Sequence, residues 1–418
     1  MIRYIIFSLL AYALIVPAEA SELPLFNNGH IKTFFSLNTF PDDSVFRDQV
    51  DTPSTDISGD LRLNFKWDKS PVSLFADYQL TASHGDSITI ANAFAGSPVI
   101  AGVIPNDDNR LFDLTHIVSR DNNQIIAHRL DRLYADITGQ NLVVRFGRQA
   151  ISWGNGLMYS PMDLFNPFDP SAIDTEYKTG DDMLYGQLLQ DNGNDLQTVW
   201  VIRRDNNHHV NDKNGSIAIK YHGFFGDNEF DILISEHYED TIIGVGSIVN
   251  LGGAIWRGDI TLTDTQTQNV TSLVTSLSYS WLGWGHNISG IIEYFHNGFG
   301  QSNSNYSPAA LTGNPDLLKR LERGELFTLG QNYIAASATI EMTPLWILTP
   351  NIFININDDS IFAQLVSTYD LKQEWQLHAA MGIPMGKAGT EFGGIDSAIT
   401  GKQLSTELNL YAQLSWYF

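Results

Sequence analysis

The sequence predicts an all-β fold, a transmembrane antiparallel β-barrel of about 18 strands with short turns at one end and long loops at the other. Three observations carry that expectation. Apolar and polar residues alternate at period two in segments of about ten residues; short and long links alternate between those segments; and the last segment stays apolar on one face to the final residue. In that segment Leu404, Thr406, Leu408, Leu410, Ala412, Leu414, Trp416 and Phe418 share one face, and Ser405, Glu407, Asn409, Tyr411, Gln413, Ser415 and Tyr417 the other. Such a strand, oily on one side and wet on the other, is long enough to cross a bilayer at a tilt.

Taken from the start, Met1-Ile2-Arg3 is a short basic segment and Tyr4 to Val16 an apolar run. Pro17-Ala18-Glu19-Ala20 is a small-residue exit, so residues 1–20 read as a secretory signal peptide and 21–418 as a single barrel domain. No later run of 18 apolar residues offers a membrane helix. The chain has no cysteine, which excludes disulfides, thiolate metal sites and thiol catalysis. A formal net charge of -23 argues against nucleic acid as a partner, because phosphate recognition needs a basic surface. The Asp and Asn residues cluster between strands, where they solvate the loops or meet divalent cations among lipopolysaccharide phosphates. Outer-membrane lipid and lipopolysaccharide are therefore the expected surroundings.

The first strand is expected over 30–40, followed by an Asp-rich link from Pro41 to Thr55. Ile57, Gly59, Leu61, Leu63, Phe65 and Trp67 then alternate with polar residues up to the turn Asp68-Lys69-Ser70-Pro71, and Val72, Leu74, Ala76, Tyr78, Leu80 and Ala82 continue the alternation. This is a hairpin of two spanning strands. Further strands are expected near 126–138, 141–149, 182–190, 195–204, 215–224, 228–238, 241–249, 253–263, 270–282, 286–297, 332–343, 346–357, 360–370, 373–385 and 404–418. Every second link is tight, as at Gly139-Gln140, Gly226-Asp227 and Pro344-Leu345. Every long link falls in the other set: 41–55, 84–125, 150–181, 205–214, 264–269, 298–331 and 386–403. A soluble sandwich has no reason to sort its links in this way, whereas a barrel with turns on the periplasmic side and loops outside does. Closure follows from solvation, since unpaired backbone amides in hydrocarbon cost several kcal/mol each.

The run Val144 to Pro170, VRFGRQAISWGNGLMYSPMDLFNPFDP, abandons alternation for Gly, Pro and aromatic residues and should be ordered without being regular. Its Gly147-Arg148-Gln149 and Trp153-Gly154-Asn155-Gly156 resemble a signature of porin-like outer-membrane barrels that include the alginate-export type. Ser160 to Pro167 looks like an extension found in relatives of that group, and the Trp and the proline-rich continuation depart from the alginate exporters themselves. The C-terminal aromatic resembles the terminal pattern of bacterial outer-membrane barrels. That resemblance implies a last strand closing against the first, and recognition of Phe418 by the barrel-assembly machinery of a Gram-negative outer membrane.

A long ordered link either folds into the lumen as a constriction or caps the mouth. Strand phase points Arg62, Lys66, Arg132, Arg145 and Arg257 inward, where Asp163 and Asp169 of the link are expected to face such bases across a pore. Arg148 falls on the lipid phase of a regular strand, and a bulge at Gly147 is expected to turn it inward. Arg62, Arg132, Arg145, Arg148, Gln149, Trp153, Asp163, Asp169 and Arg257 are thus the candidate constriction residues, the alternative being that these charges simply pair and brace the lumen. His208-His209 reads as polar surface, Pro308 to Gly324 as a short loop helix, and no catalytic, cofactor or metal motif is present. The expectation is a channel, not an enzyme, through which small polar or anionic solutes diffuse, with 150–181 as constriction or gate. A plugged barrel serving as receptor or export partner is the alternative, and an outer-membrane hydrolase a remoter one.

Overall fold

The computed structural model describes residues 25–97, 99–100, 106–205 and 207–418. The expected signal peptide lies outside them. Its strands are β1 (Phe26–Thr39), β2 (Ser54–Lys69), β3 (Val72–Gly85), β4 (Thr115–Asp121), β5 (Gln124–Thr138), β6 (Leu142–Gln149), β7 (Asp181–Leu189), β8 (Asp195–Val201), β9 (Ser216–Phe225), β10 (Asn228–His237), β11 (Asp240–Leu251), β12 (Ala254–Asp264), β13 (Asn269–Gly283), β14 (His286–His296), β15 (Asn332–Thr343), β16 (Trp346–Asn355), β17 (Ser360–Lys372), β18 (Trp375–Met385), β19 (Ile395–Asp396), β20 (Gln403–Leu404) and β21 (Leu408–Tyr417). All but β4, β19 and β20 form one closed antiparallel ring in which each strand pairs with its neighbours in sequence and β1 pairs with β21. The 18 expected strands are these 18, displaced at their ends by a few residues.

The seam closes on the last residue. Gly29 N donates to Phe418 O at 2.8 Å, Phe418 N donates back to Gly29 O at 3.0 Å, and the Phe418 ring stacks on Phe26 at 6.0 Å. No edge of the ring is left for another chain to extend.

The wall is turned inside out relative to a soluble core. On β10, Ile232 and Ile234 are exposed while Asp231, Leu233 and Ser235 are buried; on β12, Ile260 and Leu262 are exposed while Asp259, Thr261 and Thr263 are buried. Apolar rows outside and polar rows inside are what a bilayer selects. No helix among the described residues is long and apolar enough to cross a membrane.

Alternation did not foresee β4. β5 has 15 residues and β6 only eight, so β6 covers only Leu133 to Thr138 of β5. Thr115 to Asp121 pairs with Gln124 to Arg129 of β5 and fills the edge that β6 leaves open. The wall is lowest here, where β6, β7 and β8 have eight, nine and seven residues.

The links sort onto two ends, a short-turn end and a long-loop end. At the long-loop end, segment 297–331 carries two helices, Pro308–Thr312 and Pro315–Glu322, where one was expected. Each starts on a side-chain cap: Ser307 accepts from Ala310 N and Asn314 from Leu317 N, and Pro occupies the first turn of both. Phe299, Tyr306, Leu311, Leu317 and Leu329 of this segment bury against Val270 and Ile395, with Leu404 partly buried beside them, so 297–331 and 386–407 make one cap. Glu391 ties the cap to the wall. It accepts from Leu329 N at 2.8 Å and Asn355 Nδ2 at 2.6 Å, and the Tyr333 hydroxyl also donates to it.

Burial pushes the Glu391 carboxyl up from 4.5 to about 7, against the donors Tyr333, Leu329 and Asn355 and with the help of the nearby Asp358 carboxylate. A carboxyl raised on folding favours the folded state when protonated. Its contribution is therefore complete below pH 4.5 and is lost as pH rises through about 7. Amide exchange of 386–407, corrected for intrinsic rates, should show the cap opening more often above that pH, and Glu391→Gln should flatten the dependence. A second prediction concerns Gly147 in β6, which has φ +126° and where a Cβ would stand 2.2 Å from the Leu133 carbonyl oxygen. Gly147→Ala should destabilise the barrel by more than about 1 kcal/mol, read as earlier unfolding in detergent.

Candidate functional site

Residues 150–180 carry no regular structure and lie inside the barrel. Departing from β6, the segment meets β8, β12 and β14 in turn, doubles back past β10 to β7 at Phe165 and Asn166, and then crosses to β17, β21, β1, β2 and β5 before it joins β7. Trp153 Nε1 donates to Gln197 of β8 at 2.7 Å. Asn155 N and Nδ2 both donate to Asp259 of β12 at 2.7 Å, and Nδ2 also to Asp231 of β10 at 3.1 Å. The Glu293 carboxylate of β14 accepts three successive backbone N–H groups, from Leu157 at 2.8 Å, Met158 at 3.2 Å and Tyr159 at 2.7 Å. Tyr159 stacks on Phe295 at 4.6 Å.

On the far side Gln364 of β17 donates to Ser171 O at 2.8 Å and Gln413 of β21 to Asp174 at 3.2 Å. Lys32 of β1 pairs with Asp174 at 2.5 Å and Glu176 at 2.7 Å. Arg62 of β2 lies 3.8 Å over the Tyr177 ring, and Arg132 of β5 donates to Lys178 O. The segment is a belt laid around the inner wall. Trp153, Met162, Leu164 and Phe165 bury against Met183, Tyr185, Val199 and Leu233 and hold its first half by packing. Between belt and cap lies a cavity of about 80 Å³, lined by Met158, Leu164, Phe299, Arg320 and Glu325 among others.

The sequence-derived candidates divide among three places. Arg62, Arg129 and Arg132 converge on Asp131. A register shift between Asp77 and Tyr78 leaves Asp131 without a partner across the ladder and brings it inside beside Arg132. Arg145 pairs with Asp136 at 2.9 Å and sits between the Tyr134 and Tyr185 rings, 5.1 and 5.6 Å away. Arg257 donates to the Ser278 hydroxyl at 2.8 Å, and Lys66 pairs with Asp68 at 3.0 Å at the short-turn end.

Within the belt, Asp163 is held by Lys178 of the same belt, both oxygens at 2.6 Å, and not by a wall arginine. Burial pushes the Asp163 carboxyl up and the Lys178 ammonium down, each opposed by the other's charge. Asp169 accepts from Ser171 N at 2.8 Å and closes a turn of the belt. Gln149 is buried and donates to Met183 O at 3.3 Å.

Arg148 departs from the expectation of a bulge. The ladder runs through Gly147 without a register shift, with Arg148 opposite Leu133 and Asp182 in the outward row. Its guanidinium is 1 % exposed because segment 107–113 closes over it: Asp182 accepts at 2.9 Å, Asp107 at 2.8 Å and Phe112 O at 2.7 Å. Burial raises the Asp107 carboxyl, but Arg110 and Arg148 more than offset this and bring it down to about 2. An outward charge is thus satisfied by a loop laid over it, with no change of strand phase.

Sequence reasoning missed the anchors Asp231, Asp259, Glu293 and Lys32. Each was visible as a charge on the inward phase, as Glu293 is between Ile292 and Tyr294. What alternation could not supply was the partner, because the belt follows no period.

No protein-family model matches the chain, and no curated protein matches it in sequence. Solved structures do match in shape. OpdK of Pseudomonas aeruginosa, solved with vanillate, superposes with a TM-score of 0.52 at 9% identity, over 94% of this chain and 98% of its own. The BenF-like porin from Pseudomonas fluorescens Pf-5 gives 0.52 at 9% identity over 95% and 99%. Wzi of Escherichia coli, an outer-membrane protein involved in group 1 capsule assembly and a carbohydrate-binding β-barrel, gives 0.50 at 10% identity over 93% and 83%. The chain has the fold of these outer-membrane barrels.

Proposed function

We propose that the protein is a passive channel of a Gram-negative outer membrane, through which small polar or anionic solutes diffuse past the belt 150–181. The observation that carries this reading is the belt itself. An irregular segment bonded around the inside of a closed wall narrows the lumen without sealing its edge to the bilayer. Arg62, Arg129 and Arg132 around Asp131 outnumber the carboxylates beside them, Asp131 and Asp77, while Arg145 is paired to Asp136, and the surplus of positive charge at that cluster is what favours anions. In this reading the short turns face the periplasm, residues 1–20 direct secretion, the long loops meet lipopolysaccharide, and the barrel-assembly machinery reads Phe418. The Gly147 to Gly156 run fits the porin-like group that includes alginate exporters in barrel type, with solute left to the lumen charges. No covalent step is part of this mechanism.

The cap supports a second reading, a plugged barrel that acts as receptor or export partner. Leu326 packs against the apolar groups of both the cap and the wall around Tyr159, so belt and cap touch. Current across a planar bilayer separates the two readings. A channel should conduct small ions, and Glu293→Ala should raise the conductance. That change removes an acceptor of three charge-assisted hydrogen bonds, each contributing about 1.5–3 kcal/mol, and should abolish exchange protection at Leu157, Met158 and Tyr159. Absence of current from both the native chain and this variant would sink the channel reading. Reversing charge at Arg132 and Arg145 to Glu should move the reversal potential toward cation preference; an unchanged potential would mean that these charges only brace the lumen.

A further inference from the structure

The turns of the short-turn end are not alike around the ring. From β2 to β8 they are polar: Ser70-Pro71, Gly139 to Asn141, and Gln190 to Asn194. From β9 to β16 large apolar side chains stand in the open in the turns or at the strand ends beside them, with Phe225 82%, Leu251 54%, Trp284 92% and Leu345 54% exposed, before the β17–β18 turn is polar again at Gln373-Glu374. A single exposed apolar residue needs no explanation, but an arc of them at one height on one side does. Trp284 adds an independent observation. It occupies the first central position of the two-residue turn between β13 and β14 at φ +49°, before Gly285 at φ +82°. That turn asks for Asn or Gly there, and a bulky side chain in the left-handed region is held at a cost.

What covers this arc follows from what adjoins it. Tyr279 and Trp281, stacked at 6.2 Å, and Trp346 form the aromatic girdle of the outer face directly above it. Such girdles sit where acyl chains give way to headgroups. Three residues beyond Trp281, at about 3.3 Å each along a strand tilted by about 40°, Trp284 stands roughly 7 Å past that boundary. The headgroup layer on each side of a bilayer is about 5–7 Å thick. The distance is that of a side chain lodged among headgroups, where the amphipathic indole is most at home.

We infer that the arc of turns centred on Trp284 and Leu345 is an interaction surface for lipid headgroups, sunk in that layer while the polar turns of β2 to β8 stand in water. The barrel is then seated unevenly, deepest at β13–β16 and shallowest beside the low wall of β6–β8. This rests on membrane insertion as proposed above.

The absence of cysteine makes each introduced one a unique label. A polarity-sensitive probe is attached in full-length protein in phosphatidylcholine vesicles at Trp284→Cys, Leu345→Cys, Gln140→Cys or Ile243→Cys. Quenching is read with lipid brominated near the headgroup and, separately, with iodide in the water. The probes at 284 and 345 should lose emission to brominated lipid and resist iodide, and the probe at 140 should do the reverse. Equal iodide quenching at 284, 345 and 140 would overturn the inference, as would shielding from both quenchers that vanishes on dilution of protein in lipid, the mark of a second copy. The probe at 243, on the apolar wall, keeps the two readings apart. If it escapes brominated lipid, insertion itself is wrong; if it alone is quenched by lipid, only the surface assigned here is wrong.

Discussion

The structure depends on one constraint, that no backbone amide be left unpaired where water is scarce. The ring meets it by closing: every strand has two neighbours, and the chain end is used to the last residue, Phe418 exchanging both backbone hydrogen bonds with Gly29. The same constraint accounts for β4. A long β5 beside a short β6 exposes a ladder edge, and the nearest free segment, Thr115 to Asp121, supplies the missing partner.

Inside the wall the constraint takes a different form. The belt forms neither helix nor strand and bonds to its own backbone only at turns, as from Asp163 N to Ser160 O and from Ala172 N to Asp169 O, while the ladders of the wall are already complete. Its other amides are left to side chains, and carboxylates are the strongest acceptors to hand. Glu293 takes three consecutive N–H groups and Asp259 takes the pair at Asn155, which fixes a stretch of irregular chain against two strands. On the opposite wall the polarity reverses. Belt carboxylates of Asp174 and Glu176 are taken by Lys32, although burial of Asp174 works against its charge. The two anchorages are different chemically, so loss of one leaves the other intact and the segment becomes a hinged strap.

How much of this was legible in sequence follows from what has a period and what does not. Strand positions, strand number, closure and the sorting of links all rest on period two, and the expected segments 57–67, 228–238 or 332–343 fall on β2, β10 and β15. Inward placement of Arg62, Arg132 and Arg145 came from the same phase. The partners of those residues did not. Asp131 reaches Arg62 and Arg132 only through a bulge, and a bulge shifts phase without leaving a mark in composition. Asp163 was expected to face a wall arginine but meets Lys178, its neighbour in the folded belt 15 residues on. β4 and the second cap helix were missed because each is short and lies in a link whose composition reads as loop.

Arg148 shows how the same physics limits such reading. The register gives it an outward phase, and an outward guanidinium in a bilayer is costly unless it lies near the headgroups or is covered. The expectation of a bulge assumed that the strand must yield. Yet a bulge would have broken the ladder of β6 with both β5 and β7, trading one unsatisfied charge for several unsatisfied amides. Covering the charge is cheaper, since segment 107–113 is already drawn to this edge by β4 and brings Asp107 and the Phe112 carbonyl with it. The Phe112 ring then meets Phe146 edge to face, 6.3 Å away, and continues the apolar outer row over the charge it hides. The loop that repairs the open ladder above β6 thus also makes the residue at the end of β6 tolerable to lipid, and both follow from the shortness of that one strand.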